Sequence, residues 1–102
     1  MITLAWKRRL DTATSADEVM EITRHFVATF SVADIERLPA YSRPGDLAGP
    51  ADAANYAARL QHHYFDGDAA TARVLTRLVE FFSAAAIRLA EVARAPVARD
   101  DA

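Results

Sequence analysis

The stretch of sequence that decides the fold is AATARVLTRLVEFFSAAAIRLAEVAR, residues 69–94, which contains neither glycine nor proline. Its apolar side chains recur at alternating steps of three and four residues, which places them on one side of an α-helix. The residues of this stripe are Leu75, Leu78, Phe82, Ala85, Leu89 and Val92. Asp68 precedes the run and belongs to the residue types preferred at a helix N-cap. The pattern predicts a long C-terminal helix from about Ala69 to Arg94.

The apolar side of this predicted helix is wide. Val74 and Phe81 widen it on one edge, and Val79 and Ala86 widen it on the other. At about 100° per residue the apolar arc covers roughly 160°, which is more than one neighbouring helix needs. The opposite side is mostly charged and carries Arg73, Arg77, Glu80, Ala84, Arg88 and Glu91. A helix with this pattern either forms the centre of a bundle or gives part of its surface to a partner.

Caps and a proline delimit two earlier helices. Residues 15–18, Ser-Ala-Asp-Glu, form a capping box, in which the serine hydroxyl bonds an amide three residues on and the glutamate reaches back. The apolar stripe of the helix that follows is Val19, Ile22, Phe26 and Phe30. Ser31 repeats the cap signature before a short helix. Pro39 ends that helix, because the residue before a proline disfavours helical geometry.

Two further helices are predicted at the start and in the middle of the chain. Residues 2–10 predict a short first helix, followed by a turn over the small polar residues 11–14. Pro50 suits the first position of another helix, where its missing amide has no partner to lose, and Gly67 ends that helix. Residues 40–49 lie between the helix that Pro39 ends and the helix that Pro50 begins. They are the only long irregular segment of the sequence.

The fold class follows from these elements. No segment alternates with a period of two residues, so we expect no β-sheet. The prediction is an all-α protein, a compact bundle of four to five helices with a long C-terminal helix. We expect a single helical domain over residues 1–95 and a flexible C-terminal tail over residues 96–102, because the tail has little apolar surface to bury.

The composition excludes several kinds of chemistry. Without a cysteine, the chain has no disulfide, no thiolate metal site and no cysteine nucleophile, which fits a reducing cytoplasm. Its net charge of −2 differs from the basic excess typical of nucleic-acid binders, and no apolar run is long enough to span a membrane. Lys7 is the only lysine among many arginines, a composition typical of GC-rich bacterial genomes. We expect a bacterial, cytoplasmic protein that does not contact a membrane, and the charge balance disfavours a nucleic-acid partner.

One basic run stands out against this acidic background. Lys7, Arg8 and Arg9 follow Trp6, and an aromatic residue beside cations can suit a phosphate backbone or an anionic membrane surface. Three charges are few for such binding, and Asp11 adds an opposite charge. The favoured interpretation is a solvated helix face whose cations lie near its own C-terminus.

The candidate metal site is the segment His62-His63-Tyr64-Phe65-Asp66-Gly67-Asp68. Its ligand-type side chains are His62, His63, Asp66 and Asp68. Chelating histidines usually occupy positions i and i+4 of one helix face, whereas adjacent helical residues point about 100° apart. The segment also lacks the further carboxylates of a calcium loop. The spacing favours a helix end, with metal binding as the alternative.

The irregular segment supplies a second candidate site. Tyr41, Arg43 and Asp46 are chemically capable side chains on a long loop, and long loops in compact domains are often functional. The alternative is that Tyr41 and Leu47 pin the loop to the bundle while Arg43 and Asp46 are solvated. We favour this second interpretation.

No catalytic residues are predicted. The chain has no phosphate-cradling glycine loop, no His-Glu-x-x-His motif and no paired Glu-x-x-His sets of the di-iron kind. We therefore expect a non-enzymatic protein without a cofactor.

The wide apolar arc of the C-terminal helix leads to the functional prediction. We expect protein–protein interaction of a regulatory or adaptor type, with a homodimer as the favoured assembly. The candidate interface residues are Val74, Phe81, Ala85 and Ile87. Ile87 projects towards the charged side of the helix, where an apolar residue is unusual unless a partner covers it. The alternative function is a helical protein that binds a small molecule or a divalent metal through residues 62–68.

Overall fold

The computed structural model describes residues 4–45, 47–61 and 68–94. Its elements are, in chain order, α1 (Leu4–Thr12), α2 (Ala16–Val27), α3 (Val32–Arg37), a 3₁₀ turn (Ala40–Ser42), α4 (Pro50–Gln61) and α5 (Ala69–Arg94). No residue of the described ranges belongs to a β-strand. The predicted all-α bundle with a long C-terminal helix is confirmed, and α5 has the bounds that its apolar periodicity indicates.

The long helix α5 is the centre of the bundle. It contacts each of the other four α-helices, and its side chains Leu78, Phe81, Phe82 and Ala85 are fully buried. The apolar arc of α5 is therefore wide because α5 forms the centre of the bundle. Helices of the same chain cover one edge of the arc fully and the other edge in part.

The first helix ends two residues later than predicted. Thr12 is the last residue of α1, although residues 11–14 predict a turn. Asp11 pairs with Lys7 one turn earlier, with 3.3 Å between Oδ2 and Nζ, and the Thr12 hydroxyl donates to the Arg9 carbonyl at 3.1 Å. Pairs at this spacing stabilise a helix, so these contacts extend α1 beyond the point that the small polar side chains alone indicate.

Side-chain caps fix the starts of α2 and α3 as predicted. Ser15 Oγ accepts from the Glu18 amide at 3.2 Å, and Ser31 Oγ accepts from the Asp34 amide at 3.1 Å. In a capping box the glutamate accepts from the backbone N–H of the N-cap residue, which is Ser15 here. The Glu18 carboxylate accepts from the backbone N–H and the hydroxyl of Thr14, one residue earlier. These bonds to the ionised carboxylate, the backbone bond above all, lower the pKa of Glu18 below its ordinary value of 4.5.

Two prolines set the borders of the irregular segment. Leu38 has an extended backbone, with ψ of 144°, because Pro39 follows it and disfavours helical geometry. Pro50 is the first residue of α4, as predicted. The expected end of that helix, Gly67, lies outside the described residues.

The core is built around an aromatic cluster that joins three helices. Phe26 of α2 and Phe81 of α5 stack face to face, with ring centroids 4.0 Å apart and an interplanar angle of 5°. Trp6 of α1 meets both rings edge-on, at 5.3 Å from Phe26 and 6.0 Å from Phe81. Such pairs add about 0.5–1.5 kcal/mol each beyond the burial of their area. The cluster therefore positions α1 and α2 relative to α5.

A second contact ties α4 to the loop before it. Tyr56 is buried, and its ring meets Phe82 edge-on at 4.7 Å. Its hydroxyl donates to the Ser42 carbonyl at 2.6 Å. Burial raises the pKa of Tyr56 well above its usual value, so the hydroxyl stays protonated and remains a donor at neutral pH.

Replacing Tyr56 by phenylalanine tests this contact. Tyr56→Phe keeps the ring but leaves the buried Ser42 carbonyl without its donor, which costs about 1–3 kcal/mol. We expect the free energy of unfolding in urea to fall by that amount with an unchanged denaturant slope. The control Val32→Ala, at a side chain that is 73% exposed, should change it by less than about 0.5 kcal/mol. A Tyr56→Phe protein as stable as the control would contradict the contribution assigned to the hydroxyl.

The Glu18 cap predicts a pH dependence with a defined sign. Because the pKa of Glu18 is lower in the folded than in the unfolded state, the cap contributes stability above pH 4.5 and loses it as the pH falls through the lowered folded-state value. Glu18→Gln keeps an acceptor oxygen and removes the titration. We expect its free energy of unfolding, measured in urea at each pH, to decline less on acidification than that of the wild type. An identical decline would contradict the prediction.

Candidate functional site

Of the four predicted interface residues, the structure leaves one on the surface. Val74 is 8% exposed, and Phe81 and Ala85 are 0% exposed, because other helices of the same chain pack over them. These three residues belong to the core and do not face a partner, which corrects their placement at an interface. Ile87 is 62% exposed, as its position on the charged side of α5 indicates.

Ile87 lies at a groove between α1 and α5. The groove encloses about 130 Å³ and is lined by Lys7, Leu10 and Asp11 from α1 and by Ala84, Ile87, Arg88 and Glu91 from α5. On the α1 side, Lys7 Nζ lies 3.3 Å from Asp11 Oδ2. On the α5 side, Arg88 Nη1 lies 3.0 Å from Glu91 Oε1. The rim of the groove therefore carries two positive and two negative charges, each paired within its own helix.

Arg88 also anchors the end of α1 to α5. Its Nε and Nη2 donate to the Ala13 carbonyl at 3.2 and 2.7 Å, across 75 residues of sequence. Ala13 directly follows α1, and helix geometry leaves the last carbonyls there without intrahelical donors. In the sequence Arg88 belongs to the charged stripe of the helix, and no local pattern identifies an acceptor so distant.

Of the candidate metal ligands, the structure describes only Asp68, while His62, His63 and Asp66 lie outside the described residues. Asp68 caps α5, since its Oδ1 accepts from the Thr71 amide at 2.8 Å. This bond from the backbone lowers the pKa of Asp68 below its ordinary value of 3.8. In the part of the chain that the structure describes, no three metal-ligating side chains group together.

Of the candidate loop residues, Arg43 is described in full, whereas Asp46 and the side chain of Tyr41 lie outside the described part. The Arg43 guanidinium donates to the carbonyls of Leu38 at 2.9 Å and Glu36 at 3.0 Å. These carbonyls lie at the end of α3, where acceptors lack intrahelical donors. Arg43 therefore closes a helix end, which corrects the expectation that it is solvated.

A larger cavity of about 380 Å³ lies between α2 and the loop that precedes α4, lined by Arg24, Val27, Gly45, Leu47 and Ala48. Its volume falls within the range of small-molecule sites, about 300–1,000 Å³. The Arg24 Nε donates to the Leu47 carbonyl at 3.0 Å, so the guanidinium holds the loop against α2. A ligand site needs several converging polar groups, and Arg24 is the only charged side chain among the described lining residues. The sequence offers no signal for this contact, because its partners are 23 residues apart.

The basic run of α1 does not present three free cations to one ligand. Lys7 pairs with Asp11. The Arg9 guanidinium lies 4.6 Å from the centre of the Trp6 ring and bonds His25 Nδ1 at 3.2 Å. Two of the three cations thus have partners within the chain.

Comparison of the chain with models of known protein families, with curated proteins and with solved structures found no match in any of the three. Within the described ranges, no helix is both long and apolar enough to cross a membrane.

Truncating Arg88 measures its anchoring contribution. Arg88→Ala removes a charged donor from the Ala13 carbonyl, which we expect to lower the free energy of unfolding by about 1.5–3 kcal/mol, the range for hydrogen bonds to charged groups. Arg8→Ala is the matched control, because it truncates an exposed arginine of α1, and it should change the free energy by no more than about 0.5 kcal/mol. Equal effects of the two substitutions in urea unfolding would show that Arg88 is not an anchor.

Proposed function

We propose that the protein is a non-enzymatic interaction protein that forms a homodimer through the outer face of α5. This outer face is the side of α5 turned away from its core, with Ile87 at its centre. The observation that carries the proposal is the 62% exposure of Ile87 on the helix that otherwise forms the centre of the bundle. We further propose a bacterial cytoplasmic setting, which the cysteine-free and arginine-rich composition supports.

Covering Ile87 is favourable for two reasons. Full burial of an isoleucine side chain contributes roughly 1.5–3 kcal/mol, of which the exposed 62% of Ile87 gives roughly 1–2 kcal/mol, and a two-fold symmetric dimer buries this side chain once in each subunit. The β-branched side chain also has few rotamers to lose when it is ordered. One residue therefore contributes twice to the same contact.

The neighbourhood of Ile87 admits another helix. Ala84 and Ala90 lie three residues before and after it, and short side chains of this kind allow two helix axes to approach to about 8–10 Å. The adjoining groove of about 130 Å³ is close in size to a cavity that accommodates benzene, about 150 Å³. An aliphatic side chain of a partner fits a space of this size.

The charges around the groove favour a second copy over a strongly charged partner. Lys7 and Arg88 are positive, and their partners Asp11 and Glu91 are negative, so the four charges sum to zero. An isologous contact brings identical surfaces together, and a rim of one sign would repel its own copy. A mixed, neutral rim avoids that repulsion.

The alternative is a protein that binds a small molecule or a divalent metal through residues 62–68. Asp68 is the member of that set with described contacts, and its carboxylate is engaged as the N-cap of α5. Native mass spectrometry of protein purified without a metal-affinity tag separates the two proposals. A dimer without added mass supports the first, and a monomer that carries a metal or a small molecule supports the second.

Ile87→Asp tests the dimer directly. The substitution removes the apolar contact and brings two carboxylates together near the two-fold axis. We expect the dimer dissociation constant to rise at least about 30-fold, the equivalent of about 2 kcal/mol, in native mass spectrometry and analytical ultracentrifugation. The matched control is Val32→Asp, which places the same charge at another exposed apolar residue, on α3, and should leave the dimer unchanged.

Circular dichroism shows whether both variants keep their helices. The proposal is overturned by a wild-type protein that is monomeric at every concentration. It is also overturned by a folded Ile87→Asp protein that dimerises as well as the Val32→Asp control.

A further inference from the structure

We infer that the contact between Arg9 of α1 and His25 of α2 is a pH-sensitive link between these two helices. The link forms while the imidazole of His25 is neutral and breaks when the imidazole is protonated. His25 then pairs with Glu21 of its own helix, and the Arg9 guanidinium moves away from its place over the Trp6 ring. The link does not require the proposed homodimer.

The hydrogen bond of the link sets the protonation state of the imidazole. Arg9 Nη2 lies 3.2 Å from His25 Nδ1. A guanidinium has N–H donors and no acceptor, and it keeps its charge in proteins. Nδ1 is therefore the acceptor, which places the single proton of the neutral imidazole on Nε2. A second proton makes both ring nitrogens donors, so the imidazolium offers Arg9 no acceptor and repels its charge.

The same guanidinium covers the only tryptophan of the chain. Arg9 Cζ lies 4.6 Å from the centre of the Trp6 ring, a distance at which a cation and an aromatic face attract each other. The Trp6 ring also meets Phe26 and Phe81 edge-on, so it connects the surface contact with the aromatic cluster of the core. Repulsion of Arg9 by a protonated His25 therefore changes the surroundings of the indole.

Two features of α2 favour a positive charge on His25. His25 lies in the last turn of α2, where the helix dipole favours cations. Glu21 lies four residues earlier, a spacing at which a carboxylate and a cation are neighbours on the helix surface, with the acid on the preferred N-terminal side. Protonation thus exchanges one partner of the imidazole for another, the guanidinium of α1 for the carboxylate of α2.

The other charged side chains near His25 have partners of their own. Arg24, the preceding residue, donates to a carbonyl of the loop before α4. Glu18, two turns earlier, accepts two hydrogen bonds at the start of α2. On α5, the Arg77 guanidinium lies over the Phe30 ring, 4.6 Å from its centre. The carboxylate one turn before His25 and the guanidinium of α1 are therefore the two groups that compete for the imidazole.

The fluorescence of Trp6 tests the link, because this side chain is the only tryptophan and lies against Arg9. Histidine side chains change charge between about pH 5 and pH 8. We expect the wild-type emission to show a sigmoidal step in this range. His25→Gln does not take up the charge, and Arg9→Met has no guanidinium over the ring, so both variants should lose the step. The control Arg8→Met removes an exposed charge from the same helix and should keep it.

Two further variants assign the step to one histidine and one carboxylate. Glu21→Gln removes the acid that stabilises the imidazolium, so its step should move to lower pH. His62→Gln combined with His63→Gln replaces the other two histidines of the chain and should keep the step. Far-UV circular dichroism of each variant shows whether the helices are retained.

Three results would each overturn the link. The first is a wild-type emission without a step between about pH 5 and pH 8. The second is a step that persists in a folded Arg9→Met protein, because the emission change would then not come from the guanidinium. The third is a step that persists in His25→Gln and disappears when His62 and His63 are replaced, which would assign the titration to those residues.

Discussion

The stacking of Phe26 on Phe81 is the contact on which the rest of the structure depends. The two rings are 4.0 Å apart and nearly parallel, and Trp6 meets both edge-on, so three helices are fixed at one point of the core. Phe81 and its neighbour Phe82 are both fully buried, which fixes the rotation of α5 about its own axis. At about 100° per residue, Ile87 lies about 190° from the midpoint between these two side chains. The outward position of Ile87 is therefore a consequence of how the core is packed.

Three arginines stabilise the ends of helices and a loop, and their main partners are backbone carbonyls. Arg24 holds the loop before α4, Arg43 closes α3, and Arg88 closes α1. A hydrogen bond from a charged donor contributes about 1.5–3 kcal/mol. This exceeds the roughly 0–1 kcal/mol that is typical of a surface ion pair. These three arginine side chains thus hold the connections between helices in place.

The helices are predictable from the sequence because their signals are local, whereas the candidate site is predictable only in part. The bounds of α5 follow from apolar periodicity, and the start of α2 follows from Ser15, whose cap spans three residues. A wide apolar arc is equally consistent with a central helix and with an interface helix, and only packing between distant residues decides that Phe81 is core. The exposed position of Ile87 is predictable from the sequence, because it is an apolar residue on the charged side of α5. The anchoring role of Arg88 is not predictable in this way, since its acceptor is 75 residues away in sequence.

The rotation of α5 that fills the core also limits how strongly a partner can bind. In the proposed dimer the outer face of α5 offers one large apolar side chain, Ile87, beside the short side chains of Ala84 and Ala90. Assembly through so few apolar side chains depends on the concentration of the protein.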